Sequence, residues 1–252
     1  MNNQLALRRN GHISDDARRI EEALARLGGG EEKETRRGRL IVALDLTGSR
    51  EHSLHQARIA TAAMFDAIKT LGAVAVKLVY YRGENECRAS AWHDDAKILS
   101  EAMRGLSCES GETQIAKVLR LALAETETLC GVVFVGDHSE DRPGELRELA
   151  GALGAKSIPL FVFHECADDD RRSLKAKPVF KRMAEASGGV YCEFKPDSGA
   201  VLREMLSAVA AFGAGGIEGV KQVPQVTTAQ ARQLRARLLL GPPEAKGGNS
   251  CE

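Results

Sequence analysis

The stretch Leu40-Ile41-Val42-Ala43-Leu44-Asp45-Leu46-Thr47-Gly48-Ser49 constrains the fold more than any other. Its apolar run, preceded by Arg36-Arg37-Gly38-Arg39, reads as a strand buried on both faces. The strand ends on a carboxylate, and hydroxyls follow two and four residues later. Beyond Gly48 the apolar spacing turns helical through Leu54, Ile59, Ala63 and Ile68, with Gly72 closing the helix. Asp45, Thr47 and Ser49 therefore lie where a strand's carboxyl end passes into a helix, the edge at which open α/β sheets bind ligands. One carboxylate with small hydroxyls is an all-oxygen donor set, suited to a hard cation such as Mg²⁺.

The rest of the chain repeats the strand-then-helix pattern. Residues 73–81 read as a second strand, and Ser90-Ala91-Trp92 as a short edge strand returning after the turn at Arg82-Gly83-Glu84-Asn85. A helix starts at Asp94 or Asp95 and runs to about residue 106. A polar loop then leads to Thr113, which begins a helix carrying Ile115, Val118, Leu119 and Leu123. The next strand, 130–136, also ends on a carboxylate, Asp137. A helix over 142–153 with Pro143 in its first turn, a strand over 158–163, a helix over 178–187, a strand over 190–194 and a helix over 198–212 complete the series. The expected fold is α/β and doubly wound, a mostly parallel central sheet with helices on both faces.

The expected boundaries are an amphipathic appendage and linker over 1–35, the main domain over 36–213, and a Gly-rich linker, a possible helix and a disordered tail over 214–252. In the appendage, Ser14 caps a helix with Ala17, Ile20, Leu24 and Leu27 on one face, ended by Gly28-Gly29-Gly30.

Lys and Arg (35) balance Asp and Glu (35), so no global field draws the chain to nucleic acid or anionic lipid, and with 4% aromatic residues base stacking is poorly supplied. The first residues hold no apolar run long enough for a signal peptide, and the apolar stretch near 205–217 is too short to span a bilayer. The expectation is a soluble, cytoplasmic protein. Six cysteines without a C-x-x-C pair read as free thiols.

Three signals share one order: Asp45-Leu46-Thr47-Gly48-Ser49, then Ser110-Gly111-Glu112-Thr113, then Val135-Gly136-Asp137. Together they resemble the von Willebrand factor A (VWA) domain and its metal-ion-dependent adhesion site, whose pattern is D-x-S-x-S, a later Thr and a later Asp after a strand. The resemblance covers about residues 38–212, includes the order of elements, and is to the bacterial cytoplasmic members. It implies that Thr47, Ser49 and Thr113 offer hydroxyl oxygens to Mg²⁺ or Mn²⁺. Asp45 and Asp137 would hold the ion mainly through coordinated water. A remaining position would stay open to an Asp or Glu of a protein partner. The implied protein is a metal-dependent interaction module rather than an enzyme, and the family suggests a MoxR-type AAA+ ATPase or a chaperone assembly as partner. Two departures are Thr47 in place of Ser and the acidic run after Asp137, where Glu140 or Asp141 would compete for the open position.

Two other readings fit the same residues. Asp45-Leu46-Thr47-Gly48-Ser49 also resembles the phosphorylated D-K-T-G-T motif of haloacid-dehalogenase-like phosphatases, with Asp137 and Asp141 as Mg²⁺ ligands and Asp45 as nucleophile. Against it, Thr47 stands where the general acid of the usual D-x-D belongs. A metal-free VWA scaffold is the third, in which the hydroxyls near Asp45 and at Thr113 merely cap helices. His52 and His55 read as a solvated pair, Trp92 as an edge-strand anchor, and His164-Glu165-Cys166 as a strand end at the rim of the site.

Overall fold

A computed structural model of the chain describes residues 38–55, 74–166, 170–195, 198–223 and 226–240. The amino-terminal appendage, most of the helix after the first strand and the last residues of the chain lie outside the described residues. The elements are β1 (Gly38–Asp45), a 3-10 turn (Gly48–Arg50), β2 (Val74–Arg82), β3 (Glu86–Ala89), α1 (Ala96–Arg104), α2 (Ile115–Leu123), β4 (Gly131–Gly136), α3 (Pro143–Ala155), β5 (Leu160–Glu165), α4 (Arg171–Ala186), β6 (Val190–Phe194), α5 (Gly199–Gln222) and α6 (Ala229–Leu240).

The strands form a six-stranded sheet in the order β3-β2-β1-β4-β5-β6. All neighbours are parallel except the edge pair β2 and β3. This is the mostly parallel α/β sheet that the apolar runs imply. β1 lies at its centre, and its alternate side chains feed two cores. Leu40, Val42 and Leu44 pack with α1, α5 and α6 on one face. Ile41 and Ala43 pack with α2, α3 and α4 on the other. A strand covered on both sides has no polar alternation, which is why it reads as a continuous apolar run.

Several boundaries differ from the sequence reading. The edge strand is Glu86–Ala89 rather than Ser90-Ala91-Trp92. Gly83 adopts φ 56°, so the chain turns tightly and pairing resumes at once, with Arg82 opposite Glu86. Trp92 sits beyond the strand, with Arg39 and Lys77 over its ring. Helix α4 begins at Arg171, and Pro178 is inside it. The Asp170 carboxylate accepts from the Arg172 and Ser173 amides and supplies the cap that starts it.

The Gly-rich stretch expected as a linker belongs to α5, which bends at Gly215 and Gly216. By length and composition this helix could cross a membrane. Here Leu202, Met205, Leu206 and the run Ala208-Val209-Ala210-Ala211 are buried in the core. Its close approach to β1 depends on glycine: a Cβ on Gly38 would lie 1.9 Å from the Gly213 carbonyl oxygen. α6 packs into the same core through Ala231, Leu234 and Leu238.

Candidate functional site

Parallel strands deliver their carboxyl ends to one edge of the sheet. Asp45 is the last residue of β1, and Asp137 directly follows β4, its neighbour. The two side chains are 1% and 6% exposed. They are close enough for the Asp137 charge to raise the cost of ionising Asp45. Burial first, and then the Asp137 charge, push the Asp45 carboxyl up to about 6 from 3.8, with the Thr47 amide and hydroxyl and Arg50 pulling back. Gly136 leaves room for this pairing, since a Cβ there would lie 3.4 Å from the Asp45 Cβ and far too close to the Phe134 ring.

Asp45 Oδ1 accepts from the Thr47 N–H at 2.8 Å, which folds the loop back over the strand end. The Thr47 and Ser49 hydroxyls are 3.3 Å apart. Thr47, which precedes the 3-10 turn, makes no side-chain cap bond to it.

Thr113 arrives on a loop tied to the same edge. The Leu46 N–H donates to the Tyr81 carbonyl, Glu109 N–H to Leu46, and Gly83 N–H to Glu109. Gln114 Nε2 donates to the Arg82 and Gly83 carbonyls. Gly111 passes so close to Gly83 that a Cβ would lie 2.0 Å from its carbonyl oxygen. Thr113 does not cap α2, whose first residue is Ile115. Asp141 performs that task from another loop, accepting from Ile115 N–H, Ala116 N–H and the Thr113 hydroxyl.

Glu140 grips the same residue: its carboxylate accepts from Thr113 N–H at 2.9 Å, and its own N–H donates to the Thr113 hydroxyl at 2.8 Å. Glu140 and Asp141 are thus both bonded to Thr113 and the start of α2. The Thr113 hydroxyl keeps one lone pair free.

The structure therefore brings the loops bearing Asp45, Thr47, Ser49, Thr113 and Asp137 to one sheet edge. One group there was not singled out from the sequence. Arg50 is 2% exposed and forms an ion pair with Glu165, itself 3% exposed. Its only sequence signal is its position directly after Ser49.

His164 lies under the Asp137 loop, fully buried, rather than at the rim. It bonds Tyr191 through Nδ1, and Asp137 O and Ser173 through Nε2. Burial first holds its pKa down to about 4, so it is neutral. His52 is exposed, 3.8 Å from Glu165.

The donor set fits a divalent cation. Asp45 Oδ2 and Asp137 Oδ1 are buried without a hydrogen-bond partner of normal geometry, the buried Tyr81 hydroxyl being the group that interacts with Asp45, and buried carboxylate oxygens are costly to leave so. Asp45, Asp137 and Glu165 outnumber Arg50 by two negative charges. His138 lies between Asp137 and Asp170, so any charge it carries is shared with a further carboxylate. Among the described residues no three His, Cys, Asp or Glu side chains converge as a metal cluster; any ion here would depend on hydroxyls and water. A groove of about 920 Å³ runs along the free edge of β6 between α4 and α6, and none of the five candidate residues lines it.

A mostly parallel sheet of this order, with a carboxylate-and-hydroxyl loop at the end of its first strand, defines the class: the chain has the VWA fold, a Rossmann-like α/β architecture. It is similar to a von Willebrand factor type A structure from Catenulispora acidiphila, with TM-score 0.58 and 15% identity over 71% of this chain and 43% of that one. It is also similar to the SpRpn10 VWA domain, with TM-score 0.51 and 12% identity over 69% and 94% of the two chains. A third likeness is to an aerotolerance-related membrane protein from Bacteroides fragilis, with TM-score 0.52 and 16% identity over 68% and 96%. The chain spans less than half the length of the first of these structures. No protein-family model matches the sequence, and no curated protein matches it.

Proposed function

We propose that this chain is a protein-interaction module that uses a divalent cation, Mg²⁺ or Mn²⁺, to capture an acidic side chain of a partner. The observation that carries the reading is the pair of buried, unpartnered oxygens, Asp45 Oδ2 and Asp137 Oδ1, at the sheet edge where the three loops meet. Thr47, Ser49 and Thr113 would supply neutral oxygens and the two aspartates the charge. A bound cation would offer an electrophilic position to a carboxylate. Because most of the direct ligands are neutral, the ion keeps much of its charge for that carboxylate. The likeness to VWA domains is consistent with a protein partner; a MoxR-type ATPase or a chaperone assembly in the cytoplasm remains the candidate the resemblance suggests.

The phosphatase alternative asks Asp141 to hold the cation, and Asp141 is spent on the α2 amides and Thr113. The test titrates Mg²⁺ and Mn²⁺ calorimetrically into wild type and Asp45→Ala, adds acetate as a carboxylate probe to the Mn²⁺ form, and assays p-nitrophenyl phosphate hydrolysis. Binding lost in Asp45→Ala, with acetate displacing a Mn²⁺-bound water in relaxation measurements and no turnover, is the expected result. Turnover abolished by Asp45→Ala would move the chain to the phosphatase class. No cation binding by the wild type would leave a metal-free scaffold.

A further inference from the structure

The two edges of the sheet are built differently. β3 blunts its own by being only four residues long and carrying Glu86 and Arg88. At the other edge β6 reads Val190-Tyr191-Cys192-Glu193-Phe194, rich in strand formers and free of proline and glycine. Among the described residues no strand lies beyond it. The Cys166 N–H donates to the Phe194 carbonyl, and in a parallel ladder alternate residues turn both backbone groups to the same neighbour. Phe194, Cys192 and Val190 therefore face β5, while Tyr191 and Glu193 each aim an N–H and a carbonyl at the open edge.

That edge lies in the groove of about 920 Å³ between α4 and α6. A strand takes up about 3.3 Å along its axis, about 4.8 Å across the sheet and about 10 Å through it, roughly 160 Å³ per residue. The groove thus has room for about six residues of one added strand. A second copy fits it poorly, because its own β6 would bring a second pair of flanking helices against the first.

The walls differ in charge. On the α4 side the charges are matched: Lys177 pairs with Glu193 at 2.8 Å, and Lys181, over the Tyr191 ring, stands one helical turn from Glu185. The α6 wall carries Gln230, Gln233, Arg237 and Leu240, with no carboxylate. Arg237 is exposed and has no ion pair among the described residues. Leu240 is 76% exposed, an aliphatic side chain held in water beside an open strand.

We propose that the open edge of β6 is a second interaction surface, which takes an extended peptide of a protein partner as a seventh strand, with an acidic side chain on Arg237 and an aliphatic one on Leu240. Side chains two apart in a strand share one face, and Arg237 and Leu240, three apart on α6, are neighbours on one helix face. The matching motif is an acidic and an aliphatic residue separated by one. None of the five candidate metal residues lines the groove, so this binding needs no cation.

The experiment uses the full chain and a fluorescein-labelled peptide, T-L-T-D-T-L-T, whose symmetry suits either strand direction. Binding is read by fluorescence anisotropy up to about 1 mM protein, and hydrogen exchange is followed at the Tyr191 and Glu193 amides. The expected result is binding that EDTA leaves unchanged, with those two amides exchanging at least about tenfold more slowly. Arg237→Glu, its fold checked by circular dichroism, should weaken binding about tenfold and favour a peptide with Lys in place of Asp. Only alternate peptide amides face β6, so N-methylating one set, the Thr residues or the Asp and Leu residues, should abolish binding and N-methylating the other should not. No binding, equal effects of the two N-methylated sets, or indifference to Arg237→Glu would overturn the proposal. Binding that EDTA abolishes would place the peptide at the metal site and overturn it as well. So would amides already protected in the free chain, in favour of a second copy if protection rises with concentration and of a segment of this chain if it does not.

Discussion

Replacing Asp45 by Asn should stabilise the metal-free protein at neutral pH. Asn keeps the shape and the carbonyl that accepts from the Thr47 N–H, and puts an amide in place of the unpartnered Oδ2. The size follows from linkage. The carboxyl of Asp45 is pushed up to about 6 from 3.8, by burial first and then by Asp137. A raised value means that the folded state favours the protonated form. Asp45 therefore costs nothing below the unfolded value and costs stability progressively as pH rises through the folded one. A difference of about two pH units, at about 1.4 kcal/mol each, sets an upper limit of about 3 kcal/mol at pH 7.5. Relaxation around the site takes up part of that limit, so a gain of about 2 kcal/mol is expected. The assay is urea unfolding of wild type and Asp45→Asn in EDTA at pH 7.5, 6, 5 and 4. The gap should close as pH falls through the window from 6 to 4. Added Mg²⁺ should raise the wild type at pH 7.5 and leave the variant unchanged. A gap that persists undiminished at pH 4, or a variant less stable than the wild type at pH 7.5, would refute the electrostatic account of the site.

Three further outcomes follow from the same geometry. Asp141→Ala removes the acceptor for the Ile115 and Ala116 amides and the Thr113 hydroxyl; it should cost about 1–3 kcal/mol in urea unfolding, and speed hydrogen exchange at those two amides. Gly111→Ala drives a Cβ into the Gly83 carbonyl; it should displace the Thr113 loop and weaken Mn²⁺ binding at least about tenfold while lowering stability by about 1–3 kcal/mol. His164 has the opposite pH sign to Asp45: burial depresses its pKa to about 4 from 6.5, so its contribution is intact above 6.5 and is lost as pH falls toward 4. His164→Gln should therefore lose less stability than the wild type between pH 6.5 and 4, read from paired urea titrations.

What could be read from the sequence depends on how local the controlling physics is. β1, β4 and β5 are covered on both faces, so burial writes itself as an apolar run and the strands are evident. β3 is an edge strand with one exposed side, and its residues Glu86-Cys87-Arg88-Ala89 carry the charge that edges need; nothing in them announces a strand. α5 runs through a Gly-rich stretch that resembles a linker, yet two of its glycines, Gly213 and Gly219, serve close packing: a Cβ on Gly219 would lie 2.1 Å from the Ala211 carbonyl oxygen.

The site divides in the same way. Asp45, Thr47 and Ser49 belong to a single loop, and Asp137 ends the neighbouring strand, so their spacing places them. Arg50–Glu165 and Asp141 on the α2 amides join segments far apart in the chain. Nothing in the sequence pairs these residues with the groups they meet. Their shared feature is that a carboxylate at the end of one strand, or in the loop after it, reaches a group on another segment at the same edge. Asp45 and Asp137 do the same without any partner for their outer oxygens. The Glu165, Glu140 and Asp141 contacts are closed within the chain, and the cation proposal rests on the two oxygens that are not.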